Sequence, residues 1–542
     1  MHRSTLTAWA LAAFMLLTGN VARATDWLQF GFDASHTGTN PAEKLLTAAN
    51  VQYMSLLYSI PLPGIAEGAP VALGNVSTAQ GIKDVLFLTL NDGTLIALDA
   101  ATGAQLWSRF PADTNACYSA GYPNTCKTAS SPALDPNRQF VYNFALDGYV
   151  HKYHVGDGSE ITSGGWPQLA TLKPDVEQAS SALTFATASN GTTYLYVTHS
   201  SHPQLEDSGI DYQGHVTAIN LTTGTQVVFN AVCSDQGSVH FVKNTYPSNA
   251  VQPDCPQQQQ AAGSPNAGAP TGDAGIWGRA GTVYDPLTDV IYISTGNGVF
   301  DANNAGHNWS DSVLSLPAAL DTPRTAPLDS YTPLNFLTLM YYDIDLGSTS
   351  MTLTPAPAGS VYTHIGIQSG KDSNLRIIDL DNMSRAITPG PGQVGGELDS
   401  LSVAQHNQVI TQPVPWTDPV SGNIFVITAN GFGISAMHVT TDSGGTPKLS
   451  TASPAWSLSG GATNVGGSSP VIANNVLYYA GANGISALDP ATGNTLWNRP
   501  LNTPGNIRKQ SPIVVNNHVY VADKNGTLWA YLGDEIFPDG FE

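Results

Sequence analysis

Positive charge is scarce in this sequence. Lys and Arg together number 20 against 41 Asp and Glu, which leaves a net charge of −21 over 542 residues. Proteins that bind nucleic acids use clustered basic residues to neutralise phosphates, so the composition argues against a nucleic-acid partner. Because a large net charge opposes self-association, we expect a monomer.

Long apolar runs are also missing. The longest candidate, about Leu6–Leu17, has roughly 12 residues, too few to cross a bilayer as a helix. It follows His2 and Arg3 and precedes Ala22-Arg23-Ala24, which is the layout of a secretory signal peptide. We therefore expect a signal peptide at residues 1–24, export to the periplasm or out of the cell, and no transmembrane segment.

Cysteine is rare, with four residues in the chain, and no C-x-x-C pair or C-x-x-C-H haem motif occurs. We therefore expect no haem c in this chain. In an exported protein cysteines form disulfides, and proximity favours Cys117–Cys126 and Cys233–Cys255. Four cysteines allow three pairings, so the alternatives remain open.

Several catalytic signatures are absent: G-x-S-x-G, H-E-x-x-H and the P-loop. Charged residues make up only 11%, whereas Gly numbers 53 and Pro 36. This composition is typical of a chain rich in strands and turns.

A repeat dominates what is present. The stretches "VLFLTLNDGTLIALDAATGAQLW" (Val85–Trp107) and "VLYYAGANGISALDPATGNTLW" (Val476–Trp497) share two strands, a Gly turn and a third strand. Counting degenerate copies gives eight such units, most of them preceded by a short strand such as "SSPALD". Four-strand units at this spacing predict an all-β, eight-bladed β-propeller.

The ends of the repeat predict how the ring closes. The last unit, His518–Gly533, lacks the "TGxxxW" strand, and an extra strand, Val51–Ile60, precedes the first unit. We expect this N-terminal strand to complete the last blade and remove an open edge. The expected organisation is a signal peptide at 1–24, an N-terminal extension at 25–50, the propeller at 51–533 and an acidic tail at 534–542. Trp107 and Trp497 should pack on a turn of a neighbouring blade.

The stretches "ALDAATGAQLW" and "ALDPATGNTLW" resemble the repeat of pyrroloquinoline-quinone (PQQ) type propellers. The segment "DWLQFGFDASHTGTNPAE" resembles the start of the quinoprotein alcohol dehydrogenase branch, and the likeness extends over nearly all of residues 26–533. It implies a PQQ- and Ca²⁺-dependent dehydrogenase of alcohols or sugars, acting on a small-molecule substrate. The alternative is a non-catalytic propeller that binds a protein or ligand in the cell envelope or outside the cell, because fold alone does not fix function.

The resemblance also implies a cofactor site. Asn297 in "STGNG" matches the family's calcium ligand, Trp277 matches the tryptophan that lies flat on the quinone, and Lys371 in "QSGKDSNL" matches the basic contact to the quinone oxygens. Ser373 stands where that last motif usually has Gly. Oxygen ligands suit a hard cation, an indole suits a planar ring, and a positive charge suits a quinone undergoing reduction. Each residue also has a structural explanation, as a tight turn, an inter-blade contact or a solvated loop.

The catalytic base is the weak point of the resemblance. Pro317 in "SVLSLPAAL" falls where we expect the family's catalytic Asp, and proline cannot act as a base. The catalytic residue is therefore left unassigned. The family's adjacent cysteine pair is also missing, and its calcium-binding Glu has no clean match, with Glu206, Asp207 and Asp211 nearby.

The stretch "YYDIDLGSTS" supplies two further acids, Asp343 and Asp345. If it is a strand, residues i and i+2 share a face and the two carboxylates face the same way. A similar "DxDxG" segment in quinoprotein-like propellers assigns Asp345 to the metal with Asn297. The alternative is an outward-facing polar pair or turn caps.

Overall fold

Eight sheets arranged in a ring make an eight-bladed β-propeller, which confirms the prediction from the repeat. In each sheet, most strands that follow one another in the chain are antiparallel neighbours. The structure is a computed structural model. It describes residues 26–110, 126–174, 176–202, 212–236, 274–453, 455–459, 467–481, 484–500, 507 and 509–534.

Blades 1 to 4 each begin with the innermost strand. Their strands are Val71–Thr78, Gly81–Thr89, Leu95–Asp99 and Gln105–Arg109 in blade 1; Ala133–Leu134, Phe140–Phe144, Tyr149–His154 and Gln168–Leu169 in blade 2; Thr184–Thr187, Thr193–Ser201, His215–Asn220 and Gln226–Asn230, with Glu177–Gln178 added, in blade 3; and Val283–Asp285, Val290–Ser294, Val313–Pro317 and Asp329–Tyr331 in blade 4.

Blades 5 to 8 follow the same plan. Their strands are Thr352–Thr354, Ile365–Gln368, Asn374–Asp379 and Asp399–Ser402 in blade 5; Val414–Thr417, Ile424–Asn430, Gly433–Thr441, Pro447–Ser450 and Trp456–Ser459 in blade 6; Val471–Ala473, Val476–Gly481, Gly484–Leu488 and Thr495–Arg499, with Thr39–Asn40 added, in blade 7; and Ile513–Val515, His518–Ala522, Thr527–Leu532 and Ser55–Pro61 in blade 8.

Helical segments are short. The described residues contain one α-helix, Phe336–Tyr342, and four 3₁₀ turns at Val51–Tyr53, Ser234–Gln236, Ala302–Asn304 and Leu346–Ser348. Within the described part of the chain, no helix is long and apolar enough to span a membrane.

The ring closes through an N-terminal strand, as the sequence predicts. Ser55–Pro61 pairs antiparallel with Thr527–Leu532 and supplies the fourth strand of blade 8. The predicted strand began four residues too early, because Val51–Tyr53 forms a 3₁₀ turn. Pairing the two ends of the chain in one sheet leaves no open edge between the last blade and the first.

Tryptophans of the repeat join adjacent blades. Trp107 of blade 1 donates its indole N–H to the carbonyl of Val155, 3.1 Å away in a turn of blade 2. Gly158 lies in the same turn, where a Cβ would approach the Trp107 ring to 2.6 Å. Trp497 of blade 7 likewise donates to the carbonyl of Met54 at 3.0 Å, just before the strand that closes blade 8. These tryptophans therefore have the structural role expected of the repeat.

The N-terminal extension crosses the ring beside the innermost strands. Trp27 pairs with Ala72 of blade 1, and Gln29 exchanges hydrogen bonds with the backbone of Phe185 in blade 3. Further along, the carbonyl of Ala34 accepts from blade 4, and Thr39–Asn40 pairs with blade 7. One short segment thus contacts blades on different sides of the ring. The predicted signal peptide at 1–24 and residues 535–542 of the predicted tail lie outside the described residues.

Candidate functional site

Asn297 lies at the inner end of blade 4, directly after the strand Val290–Ser294, and is buried. Its backbone N–H donates to Asp345 Oδ1 at 2.7 Å, and its side-chain Nδ2 donates to Asp343 Oδ1 at 2.8 Å. Its Oδ1 atom is buried and has no hydrogen-bond partner among the described residues. A buried oxygen without a hydrogen-bond partner lowers stability unless a ligand, ion or water binds to it.

The two acids reach Asn297 from a bend. Asp343 caps the helix Phe336–Tyr342 with a left-handed φ of 56°, and Asp345 precedes the 3₁₀ turn Leu346–Ser348. The strand geometry considered for this segment is therefore wrong, although both carboxylates still face one residue. Gly296 makes this approach possible, because a Cβ there would lie 2.5 Å from Asp345 Oδ1.

Lys371 brings blade 5 to the same point. Its Nζ lies 2.5 Å from Asp345 Oδ2 and 3.5 Å from Asp343 Oδ2, and its backbone N–H donates to the Asp345 carbonyl. The Lys371 side chain is 17% exposed, so it is not a solvated loop lysine. Ser373 adopts a φ of 67°, the left-handed conformation that favours glycine. Ser373 therefore has a backbone conformation that a glycine at this position would adopt without strain.

Trp277 lies beside Lys371 and is half-buried, unlike the buried tryptophans between blades. The Nζ of Lys371 is 5.4 Å from the centroid of the Trp277 ring, and the Nζ of Lys509 is 5.6 Å from it. Both distances are within the range of cation–π attraction. The structure therefore brings Trp277, Asn297, Asp345 and Lys371 together.

Asp311 is the acid that the sequence analysis missed. It is buried, its Oδ1 accepts from the backbone N–H of Leu346 at 3.0 Å, and its own N–H donates to the Gly296 carbonyl. Burial, followed by the negative charge of Asp345, raises the pKa of Asp311 well above its usual range. We call Trp277, Asn297, Asp311, Asp343, Asp345 and Lys371 the funnel cluster.

Strand pairing explains why Asp311 belongs to this cluster and Pro317 does not. Ser294 pairs with Val313, so residues after Ser294 and before Val313 lie at the same end of blade 4. Pro317 pairs with Val290 at the other end of the same strand. Pro317 thus lies at the end of blade 4 away from the funnel cluster, and the catalytic residue stays a matter of prediction. The signal that could have identified Asp311 is an acid just before the third strand of a blade whose second strand is followed by Thr-Gly-Asn.

No group of three or more His, Cys, Asp or Glu side chains arranged to hold a metal ion occurs among the described residues. The funnel cluster nevertheless offers oxygens of the kind that a hard cation prefers, namely Asn297 Oδ1 and the carboxylate of Asp311. Asp345, predicted as a metal ligand, has one oxygen accepting from the Asn297 N–H and the other paired with Lys371.

Each predicted disulfide has one cysteine among the described residues. Cys126 and Cys233 are described, and neither is a free thiol. Cys117 and Cys255 lie outside the described residues, as do Glu206, Asp207 and Asp211. The pairings Cys117–Cys126 and Cys233–Cys255 therefore stay predictions.

Comparison with known proteins identifies the family. The family described as glucose/ethanol/alcohol dehydrogenase, β-propeller domain, matches residues 27–320. The chain belongs to this dehydrogenase propeller family. A second family, described as outer membrane protein assembly factor BamB, matches residues 439–535.

A curated relative that matches this chain is distant from it. The dehydrogenase subunit of a quinone alcohol dehydrogenase from Gluconobacter oxydans (strain 621H) is 23% identical over 401 residues, covering 69% of this chain and 48% of the relative. The chain thus spans about half the length of that relative.

Solved structures show the same fold. A quinohemoprotein alcohol dehydrogenase from Comamonas testosteroni has a TM-score of 0.60 and 16% identity, over 95% of this chain and 81% of the other. A europium-containing methanol dehydrogenase has a TM-score of 0.59 and 14% identity, over 95% and 98%. These structures show the propeller fold, and the family match makes the chain a dehydrogenase-like propeller.

Proposed function

We propose that this chain is an exported PQQ-dependent dehydrogenase that oxidises alcohols or sugars. The observation that carries the proposal is the convergence of Trp277, Asn297 and Lys371 with a buried acid, Asp311. These three residues come from separate motifs of the sequence and meet in one cluster. Trp277 and Asn297 belong to blade 4, and Lys371 belongs to blade 5. Separate structural roles at unrelated loops would not require them to meet.

Each residue of the cluster has a chemical role in this proposal. Trp277 would bind one face of the flat cofactor, since an indole stacks on planar aromatic rings. Lys371 would hold positive charge beside it, where negative charge develops on reduction. A bound PQQ would supply the ortho-quinone that takes a hydride from the alcohol carbon. Asp311 would accept the hydroxyl proton of the alcohol on its carboxylate.

The acid must be ionised to take that proton. Burial and the charge of Asp345 raise the pKa of Asp311, whereas Lys371 opposes that rise. A Ca²⁺ ion held by Asn297 Oδ1 and the Asp311 carboxylate would lower the pKa of Asp311, as Lys371 does, because nearby positive charge favours the ionised form. The unsatisfied Asn297 oxygen supports such a site.

A titration with cofactor tests the proposal. Purified protein, freed of metal with a chelator, is titrated with PQQ in the presence of Ca²⁺, and quenching of tryptophan fluorescence reports binding. Reduction of an artificial dye with a panel of alcohols and sugars reports turnover. We expect micromolar or tighter binding in the wild type, weakened in Lys371→Ala and in Asn297→Ala. Absence of binding at micromolar PQQ would eliminate the proposed function.

The second candidate is a non-catalytic propeller that binds a protein or ligand. Two observations favour it: the match of residues 439–535 to an assembly factor, and the close pairing of Lys371 with Asp345, which neutralises the lysine. Binding of PQQ without dye reduction for any substrate would support a site that has lost catalysis. Turnover that disappears in Asp311→Asn, with PQQ binding retained, would decide for the dehydrogenase.

A further inference from the structure

Two lysines from different blades approach the indole of Trp277. Lys371 follows the second strand of blade 5, and Lys509 precedes the first strand of blade 8. Their ammonium groups lie 5.4 and 5.6 Å from the ring centroid, so they are at most the sum of these distances, 11.0 Å, apart. The family motifs described above include a counterpart of Lys371 and none of Lys509.

The backbone holds Lys509 at the inner end of its blade. The next residue, Gln510, is buried and donates its side-chain amide to the carbonyl of Ala66 in the segment before blade 1. The Gln510 side chain also accepts from the Lys509 N–H at 3.2 Å. Lys509 therefore starts from an anchored position at the axis of the ring, and its half-buried side chain extends to Trp277.

Arg279 adds a buried positive charge two residues from Trp277. Its guanidinium donates to the carbonyls of Ser180, Glu67 and Ala129, and no ion pair joins it to an acid among the described residues. Burial lowers the pKa of Arg279 to about 10, still far above neutral pH. Arg279 therefore adds positive charge near Trp277, partly offset by the charge of Glu67.

An indole with ammonium groups 5.4 and 5.6 Å from its ring centroid suits one ligand chemistry, a flat aromatic anion that carries carboxylates. We propose that Lys509 is a second basic contact for such a planar polycarboxylate stacked on Trp277 and strengthens its binding by pairing with a carboxylate. This inference rests on the proposed function, because PQQ is a tricyclic aromatic tricarboxylate. It assigns to Lys509 a share in holding the carboxylates, while Lys371, already paired with Asp345, stands beside the quinone oxygens.

The test compares Lys509→Met with a lysine that lies away from the cluster. Lys44 is exposed on the N-terminal extension, so Lys44→Met makes the same change in net charge without touching Trp277. Binding of PQQ to metal-loaded protein is measured by fluorescence quenching, and circular dichroism with thermal unfolding checks the fold. Loss of one hydrogen bond to a charged group should weaken PQQ binding roughly 10- to 100-fold in Lys509→Met, and Lys44→Met should bind as the wild type does.

The trimethyl ester of PQQ separates carboxylate pairing from other effects. It keeps the flat quinone and removes the three negative charges, so wild type and Lys509→Met should bind it equally. Wild-type affinity of Lys509→Met for PQQ itself would overturn the inference and leave the proposed function standing. An equal loss for PQQ and for the ester would also overturn it, because the lysine would then be acting on the fold of the site. Failure of the wild type to bind PQQ would remove both.

Discussion

The ion pair between Lys371 and Asp345 predicts a large, non-additive effect on stability. The two charges are 2.5 Å apart, and their side chains are only 17% and 10% exposed. At an effective dielectric constant of about 20, this separation corresponds to an attraction of about 7 kcal/mol, which desolvation of both ions offsets in large part. Breaking a buried pair by removing one partner typically costs about 3–5 kcal/mol.

We expect Lys371→Met to lower the free energy of unfolding by about 3 kcal/mol, because it leaves Asp345 buried with its charge uncompensated. Asp345→Asn should cost less, since the amide oxygen still accepts from the Asn297 N–H and Lys371 keeps Asp343 at 3.5 Å. The double variant should be more stable than the sum of the two losses predicts, by about 1–3 kcal/mol.

Equilibrium unfolding in guanidinium chloride, followed by tryptophan fluorescence in cofactor-free protein, measures these free energies, with refolding from denaturant as the check on reversibility. Additivity of the two substitutions to within about 0.5 kcal/mol would refute the reasoning, because contacting charges must couple. The same set of variants separates two roles of Lys371. If Lys371→Met and the double variant lose PQQ binding to the same extent, the loss reflects a missing contact with the ligand, since the double variant no longer leaves Asp345 charged and unpaired.

Three further results are expected. Asn297→Ala should weaken Ca²⁺ binding by roughly tenfold or more in isothermal titration calorimetry, because it removes an oxygen from the site; unchanged affinity would exclude Asn297 as a ligand. Asp311→Asn should slow dye reduction by about 10²- to 10⁴-fold when PQQ and Ca²⁺ are both saturating, and a fully active variant would exclude Asp311 as the base. Burial lowers the pKa of His202 to about 4, so the folded protein binds fewer protons than the unfolded chain below pH 6.5. The free energy of unfolding should therefore fall by about 1.4 kcal/mol per pH unit between pH 6.5 and pH 4 on account of His202. Urea unfolding measured from pH 7.5 to 4.5 should show a smaller fall in His202→Gln.

The fold was predictable from the repeat because each blade of a propeller is formed by residues that are close together in the sequence. Each blade consists of short strands joined by turns, and both the strand residues and the turn residues stand next to one another in the sequence. Ring closure was predictable for the same reason, since the last unit lacks a strand that Ser55–Pro61 supplies. The 3₁₀ turn at Val51–Tyr53 was not predictable, because "VQYMSLLYSI" is apolar and β-branched enough to read as one strand.

The site residues were predictable only where they belong to a family motif, because the sequence alone does not show which distant residues lie close together. Trp277, Asn297 and Lys371 come from three separate stretches, and the sequence by itself gives no distance between them. The acids show the limit clearly. Asp343 and Asp345 were considered in strand geometry, but Asp343 itself adopts a left-handed conformation where the helix Phe336–Tyr342 ends. Lys509 carries no motif, and only the closure of the ring brings blade 8 to Trp277.

The arrangement of charges indicates whether Asp311 or Asp345 is the better candidate for a metal ligand. Asp345 has both carboxylate oxygens committed, one to the Asn297 N–H and one to Lys371, so binding a cation there would break an ion pair. Asp311 is held by a single backbone N–H and is destabilised in its ionised form by burial and by Asp345. A cation beside Asp311 and Asn297 Oδ1 would relieve that repulsion and fill the unsatisfied oxygen at once. We therefore propose that a cation at this site would bind Asn297 and Asp311, in place of the Asn297 and Asp345 that the sequence predicted, while Asp345 keeps Lys371 beside Trp277.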